Sequence, residues 1–178
     1  KMPSQNVTGT LQGVTFPVLS QIQDDEERLA RAYRKMLRVS AFIVFPLMMM
    51  LAALARPLVL ALITAKWEAC IVLLQIMCLS MMWYPIHAIN LNLLEVKGRS
   101  DLFFRLEVIK RSVGLLLLIC TLPFGLVAFC WGGVAGSMVS LFINTFYTGK
   151  IIHIGYVRQM KDLALILLLS FAMFGLVW

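Results

Sequence analysis

Residues 112–149 read SVGLLLLICTLPFGLVAFCWGGVAGSMVSLFINTFYTG, a run of 38 residues without aspartate, glutamate, lysine or arginine. A membrane-spanning helix needs about 20 apolar residues, and one helix of this length would measure about 57 Å, nearly twice the hydrocarbon core. The run therefore predicts two membrane-spanning helices. The turn between them is expected at Cys130-Trp131-Gly132-Gly133, because paired glycines favour a tight turn and tryptophan favours the membrane interface.

The rest of the chain has a similar composition. Of its 178 residues, 61% are hydrophobic and 14% are charged, whereas soluble domains have about 45–50% and about 25%. A soluble chain of this size would still expose roughly 30% of its surface to water. The composition excludes a freely soluble, a disordered and a disulfide-stapled protein, and it predicts an all-α, polytopic membrane helix bundle.

Further uncharged stretches predict the remaining helices. Pro46 and Pro85 predict kinks in two of them, because proline removes a backbone donor and clashes with the preceding turn. The first of these stretches, residues 7–22, is uncharged but polar. We expect it to form a helix whose polar face lines a cavity; a surface helix is the alternative. Residues 1–178 would form a single membrane domain. Its helices are expected at about 7–22, 39–63, 69–94, 103–129, 133–149 and 163–178, with an amphipathic cytoplasmic helix at about 24–38.

Basic residues alternate between the two sides of the predicted bundle. The connections 24–38, 95–111 and 150–162 hold thirteen lysines and arginines, whereas the opposite connections hold only Arg56 and Lys66. Such an excess is typical of cytoplasmic loops, so these three connections are placed in the cytoplasm. Topology accounts for the net charge of +7, and no nucleic acid is expected as a partner. The helix at 24–38 is expected to anchor the chain to the inner membrane surface, with binding of an anionic headgroup or a partner as the alternative.

Polar side chains inside the spans are candidates for function, because such groups are costly in a bilayer. His87 and Asn90 follow Pro85 at a helical spacing that places them near one face. Hydrogen bonding between helices is the alternative role for these side chains. No aspartate or glutamate is expected well inside a span. The candidate substrate-pathway residues are Asn6, Gln12, His87, Asn90 and Asn144.

Small residues recur every four positions around the fifth predicted helix, at Gly132, Gly136 and Ser140. This spacing predicts close packing against a second helix. The four cysteines lie in apolar runs without the spacing of metal ligands, and the chain has no GxSxG, HExxH or phosphate-binding glycine loop. We therefore expect no catalytic residues, no metal and no cofactor.

Two stretches resemble one known family. Residues 15–33, TFPVLSQIQDDEERLARAY, resemble the FPxLSxxQDDxERLxxAY stretch of bacterial polysaccharide and O-antigen flippases. Residues 98–107, GRSDLFFRLE, resemble the GRSDLFLxLE connection of the same family. Residues 1–6 are similar to the approach to the family's seventh helix. The family belongs to a superfamily that also contains multidrug exporters and the peptidoglycan lipid flippase.

The resemblance implies a protein of twelve or more helices, arranged in two lobes around a central cavity. This chain would be most of the second lobe, and the first lobe of the same protein would be its partner. The implied function is the flipping of undecaprenyl-diphosphate-linked oligosaccharide across the bacterial inner membrane by alternating access. Membrane lipid and polysaccharide assembly proteins are further implied partners.

Two other functions are considered. A small-molecule antiporter would share the fold, but the expected lack of a carboxylate inside the spans counts against it. A membrane-embedded enzyme of polysaccharide synthesis would need an outer loop or a histidine and aspartate cluster that the chain does not show. Family cavities often hold the diphosphate with basic residues, but none is expected deep in these spans, although Arg56 is placed at an interface. The resemblance therefore leaves the diphosphate contacts to the other lobe.

Overall fold

A capping residue, a proline and a glycine mark several helix ends in the described part of this chain. The computed structural model describes residues 13, 15–62, 65–153 and 156–177, in which every regular element is helical. A helical segment at residues 15–21 comes first. It is followed by α1 (Glu26–Ala53), α2 (Ala55–Leu62), α3 (Cys70–Met81), α4 (Tyr84–Val96), α5 (Ser100–Thr121), α6 (Leu126–Ile151) and α7 (Tyr156–Val177).

Four stretches in the described part of the chain are long and apolar enough to cross a membrane. This confirms the all-α membrane bundle. The four stretches are Glu26–Ala53, Cys70–Val96, Leu126–Ile151 and Gln159–Leu176.

α1 continues through a sharp change of composition. The Asp25 carboxylate accepts a hydrogen bond of 2.9 Å from the backbone N–H of Arg28 and caps the helix. The helix then runs for 28 residues through Arg38 and Pro46. The expected separation of an amphipathic helix at 24–38 from a span is therefore wrong, because no helix-breaking residue stands at Arg38. The expected helix 39–63 is divided instead at Leu54, between α1 and α2.

Prolines and a glycine set the next two breaks. Pro85 lies in the first turn of α4, directly after the break that separates α4 from α3, in agreement with the kink expected there. The turn between α5 and α6 is a short 3-10 helix, Leu122–Phe124, followed by Gly125 at φ 91°. Glycine adopts this left-handed conformation without the strain that a Cβ would cause. The expected turn at Gly132-Gly133 is therefore wrong, and both glycines lie inside α6.

Two regions result from the packing of these helices. In the first, α1 makes its most extensive contact with α7 and also packs on α3 and α4. We call α1, α4 and α7, which side-chain hydrogen bonds of Tyr33 join, the core. Phe45 of α1 meets Trp83 edge to face, with ring centroids 5.1 Å apart. In the second, α5 and α6 lie together, and α6 also contacts α3 and α4; we call α5 and α6 the α5–α6 pair.

Candidate functional site: two polar clusters between the helices

The first cluster joins the three helices of the core and consists of Tyr33, Asn90 and Gln159, which we call the Tyr33 cluster. The Tyr33 hydroxyl lies 2.8 Å from Asn90 Oδ1 and 2.9 Å from Gln159 Oε1. Asn90 also donates from Nδ2 to the carbonyl oxygen of Ile86, at 2.7 Å. All three cluster side chains are at most 1% exposed. They supply hydrogen bonds between the three helices.

The position of the Tyr33 hydroxyl proton determines which atoms of this cluster donate and which accept hydrogen bonds. A phenol has one proton to donate and can also accept. It donates to Asn90 Oδ1, because the Asn90 amide is already oriented by its bond to Ile86. The contact with Gln159 is then a hydrogen bond when the Gln159 amide donates from its NH₂ group to the hydroxyl oxygen. Amide oxygen and nitrogen positions are assigned from such networks, so the two can be exchanged. The cluster then satisfies the hydroxyl fully.

An ion pair lies beside the Tyr33 cluster. The Arg34 guanidinium donates from Nε and Nη2 to the two carboxylate oxygens of Asp162, at 2.7 and 2.9 Å. The side chains are 32% and 16% exposed, so the pair is partly shielded from solvent. A bidentate arginine–carboxylate pair fixes orientation as well as distance. It therefore ties α1 to α7 at the end of the core.

The second cluster joins α3, α4 and α6 and consists of Ser80, His87, Ser137 and Asn144, which we call the His87 cluster. Asn144 Nδ2 lies 3.5 Å from His87 Nδ1, and His87 Nε2 lies 3.2 Å from Ser137 Oγ. Ser137 donates to the carbonyl oxygen of Ser80 at 3.3 Å, and Ser80 donates to that of Gly133 at 3.3 Å. A neutral His87 with its proton on Nε2 satisfies every contact in this series.

A charged pair borders the His87 cluster. Glu107 and Lys110 of α5 form an ion pair with side chains 29% and 11% exposed, and both act electrostatically on His87. His87 and Lys110 each lie about 14–15 Å along their helices from the α4–α5 turn, at 1.5 Å per residue. Glu107 belongs to the connection that the sequence places in the cytoplasm, and it lies in the first half of α5 with its side chain 29% exposed. Lys110 also lines a cavity of about 370 Å³ between α3, α5 and α6.

One face of α6 carries buried polar atoms without partners. In the described part of the chain, Asn144 Oδ1, Thr145 Oγ1 and Thr148 Oγ1 have no hydrogen-bond partner, and these residues are at most 1% exposed. Leaving such a group unpaired costs about 1–3 kcal/mol. These three atoms of α6 can therefore still accept or donate a hydrogen bond.

The α5–α6 contact explains the small residues of α6. A Cβ added at Gly132 would lie 2.9 Å from Thr121 Cγ2, whereas one added at Gly136 would lie 3.4 Å from Leu117 Cδ1. Thr121 cannot easily move, because its hydroxyl donates to the carbonyl oxygen of Leu117 at 2.7 Å. Ser140 lies further along α6 and lines the 370 Å³ cavity.

The structure separates the predicted pathway residues. His87 and Asn144 meet in one cluster, whereas Asn90 turns towards α1 and α7 and belongs to the other. Asn90 and Asn144 have no exposed surface, and His87 is half-buried. Asn6 and Gln12 lie outside the described residues. The pathway role stays a prediction, and Asn90 and Asn144 would have to be uncovered to meet a substrate.

Sequence reasoning missed several members of both clusters. Tyr33 was assigned to the apolar face of an amphipathic helix, although its hydroxyl provides the central hydrogen bonds of the core. Gln159 and Asp162 fell in a predicted connection, but they lie in α7. Ser137 stands one position after Gly136, and only the packing of α6 on α3 and α4 gives it a partner.

Comparisons with known proteins identify relatives of this chain. The family described as "Polysaccharide biosynthesis protein" matches residues 1–72. The "Uncharacterized membrane protein in cps region" of Klebsiella pneumoniae is 30% identical over 145 residues, which are 79% of this chain and 28% of that protein. "Lipopolysaccharide biosynthesis protein WzxC" of Escherichia coli is 29% identical over 109 residues, 61% of this chain and 22% of that protein.

A third relative has transport in its name. "Succinoglycan biosynthesis transport protein ExoT" of Rhizobium meliloti is 33% identical over 79 residues, 44% of this chain and 16% of that protein. The chain thus spans less than a third of the length of the curated relatives it matches. No solved structure gives a significant match. The matches confirm the resemblance that the sequence motifs indicated, to the family described as "Polysaccharide biosynthesis protein".

Proposed function

We propose that this chain is part of a transporter that flips undecaprenyl-diphosphate-linked oligosaccharide from the cytoplasmic to the periplasmic leaflet of the bacterial inner membrane. The observation that carries the proposal is a membrane helix bundle in a family whose relatives are named for lipopolysaccharide biosynthesis and succinoglycan biosynthesis transport. The function is transport and needs no catalytic residues. The first lobe of the same protein would supply the other wall of the cavity, and polysaccharide assembly proteins would deliver or receive the substrate.

The two polar clusters support this proposal mechanically. The Tyr33 cluster joins α1, α4 and α7, the His87 cluster joins α3, α4 and α6, and α4 belongs to both. Alternating access is largely a rigid-body movement of one half of a transporter against the other. A half whose buried polar groups bond to each other can move as a unit without breaking those bonds.

A small-molecule antiporter of the same fold is the second candidate. It is favoured by the Glu107–Lys110 pair of α5, which is partly buried and acts electrostatically on His87. Titratable groups at membrane depth are typical of proton and ion pathways. The same groups would serve equally to couple flipping to an ion gradient, so the transported substrate decides between the two candidates.

Complementation tests the proposal. The full-length gene is expressed in a strain that lacks its polysaccharide flippase, and surface polysaccharide is measured. We expect the wild-type gene to restore surface polysaccharide, with the Gly133→Ala variant as a control that meets no neighbouring atom within 4 Å. Normal membrane expression without restored polysaccharide would contradict the flippase. Proton-dependent export of a dye by the same cells would then establish the antiporter.

A further inference from the structure

A groove with an apolar and a basic half runs along α1. Its apolar half has a volume of about 330 Å³ and lies between the helical segment 15–21 and α1. Its basic half has a volume of about 400 Å³. The two halves are continuous, because Lys35 and Val39 line both. The apolar half is lined by Thr15, Val18, Ala32, Lys35, Met36, Val39 and Ser40, and the basic half by Arg31, Arg34, Lys35, Arg38 and Val39.

The basic half has an uncompensated positive charge. Arg34 is neutralised by Asp162, and Arg31 makes a weak, exposed contact with Glu27 at 3.3 Å. Lys35 and Arg38 are exposed, and no ion pair to either is found among the described residues. Asp162 also acts electrostatically on Arg38, but its one charge is already paired with Arg34, so the basic half keeps a net positive charge that can bind an anion.

The groove lies at the depth of lipid headgroups. Arg38 is the last charged residue before the uncharged stretch 39–55, on the side that the basic connections place in the cytoplasm. Lysine and arginine at such a boundary extend their charged ends towards the headgroups. Met36 and Val39 lie beside them and face the apolar half of the groove. The two halves are lined by the same turns of α1, residues 32–40 and 31–39, so charge and apolar surface lie side by side at this boundary.

We propose that this groove binds one anionic phospholipid of the inner leaflet, with the phosphate on Lys35 and Arg38 and an acyl chain along Val18, Met36 and Val39. The net positive charge of the basic half selects an anionic headgroup, because a zwitterionic headgroup brings a cation that Lys35 and Arg38 repel. The proposal concerns a membrane lipid and goes beyond the proposed transport of a lipid-linked oligosaccharide. The bound lipid would seat the helical segment 15–21 against α1.

Native mass spectrometry of the full-length protein tests the headgroup contact. The protein in detergent is titrated with phosphatidylglycerol and with phosphatidylcholine of the same chain length. We expect phosphatidylglycerol to bind more tightly, and the Lys35→Gln/Arg38→Gln variant to weaken its binding about 30-fold, at roughly fivefold per basic residue. The matched control, Arg28→Gln/Arg105→Gln, removes two exposed charges outside the groove and should keep the preference.

A second variant tests the acyl-chain contact without changing charge. Val39→Trp fills the groove and should abolish retention of phosphatidylglycerol, whereas Ile43→Trp, one turn further along α1 and equally exposed, should retain it. Equal affinity for both lipids would overturn the proposal. One-for-one displacement by undecaprenyl phosphate would overturn it in favour of a substrate site. Protection of Lys35 from an amine-reactive reagent in lipid-free protein would show that another part of the chain covers the groove.

Discussion

The core and the α5–α6 pair are held together by different means. α1 buries large side chains such as Phe45 and Met48 along its length, and Tyr33 supplies hydrogen bonds to two other helices. Leu106 is the single buried residue of α5, whose residues are all described. α6 approaches α5 closely at Gly132. Lipid is as apolar as leucine, so helices in a membrane associate through close packing and hydrogen bonds. The comparison shows that this chain uses hydrogen bonds in the core and close packing in the pair.

The largest effect is expected in the core. Asn90→Ala removes the bonds to Tyr33 and Ile86 and leaves the Tyr33 hydroxyl buried with one partner fewer, which should lower the free energy of unfolding by about 3 kcal/mol. The measurement is equilibrium unfolding of the full-length protein in mixed detergent micelles. Asn92→Ala on the same helix is the matched control, because no hydrogen-bond partner of Asn92 Nδ2 is found in the described residues. Equal losses for the two variants would mean that the Tyr33 cluster contributes nothing specific.

The α5–α6 pair should respond to a single methyl group. Gly132→Ala places a Cβ 2.9 Å from Thr121 and should destabilise the protein by about 2 kcal/mol, since overpacking costs about 1–3 kcal/mol. Gly133→Ala meets no atom within 4 Å and should be neutral or stabilising by up to about 1 kcal/mol through helix propensity. Thermal unfolding of the two neighbouring variants measures the contrast. If they melt at the same temperature, close packing does not hold the pair together.

A smaller effect is expected at the edge of the core. Asp162→Asn keeps the shape of the side chain but removes the charge that Arg34 binds, and it should cost about 1–2 kcal/mol because the pair is only partly shielded. Raising the salt concentration should reduce the difference between wild type and variant. Mixed-micelle unfolding at low and high salt checks both statements. A loss as large as that of Asn90→Ala would place the pair in the interior of the core.

The smallest effect is expected in the His87 cluster. Its hydrogen bonds measure 3.2 to 3.5 Å and are longer than those of the Tyr33 cluster. Ser137→Ala should therefore cost less than about 1 kcal/mol, in line with hydrogen bonds between membrane helices that average about 0.6 kcal/mol. The same mixed-micelle unfolding measures it. A loss above about 2 kcal/mol would show that this cluster is as important to the lobe as the core.

Composition and motifs were sufficient to predict the membrane bundle and the family, because a long uncharged run has few alternatives in a helical protein. The helix ends were harder to predict. Gly132-Gly133 resembled a turn, but the turn lies at Pro123 and Gly125, since glycine in a membrane helix also serves close packing. Arg38 is the last charged residue before an uncharged stretch, but α1 continues past it without a break.

The polar clusters could be predicted only in part. His87, Asn90 and Asn144 were recognised as polar residues at membrane depth, but their grouping depends on partners far away in the chain. Tyr33 meets Gln159 across 126 positions, and His87 meets Ser137 across 50. Helical spacing on α4 alone places His87 and Asn90 near one face. In the packed bundle, however, His87 contacts α6 and Asn90 contacts α1.

The account rests on the claim that this lobe belongs to a transporter of lipid-linked oligosaccharide. The most direct test is translocation of a radiolabelled undecaprenyl-diphosphate oligosaccharide across proteoliposomes that contain the full-length protein. We predict protein-dependent translocation, with Gly133→Ala at the wild-type rate. Translocation no faster than in protein-free liposomes, by protein that is folded and binds the substrate, would contradict the account.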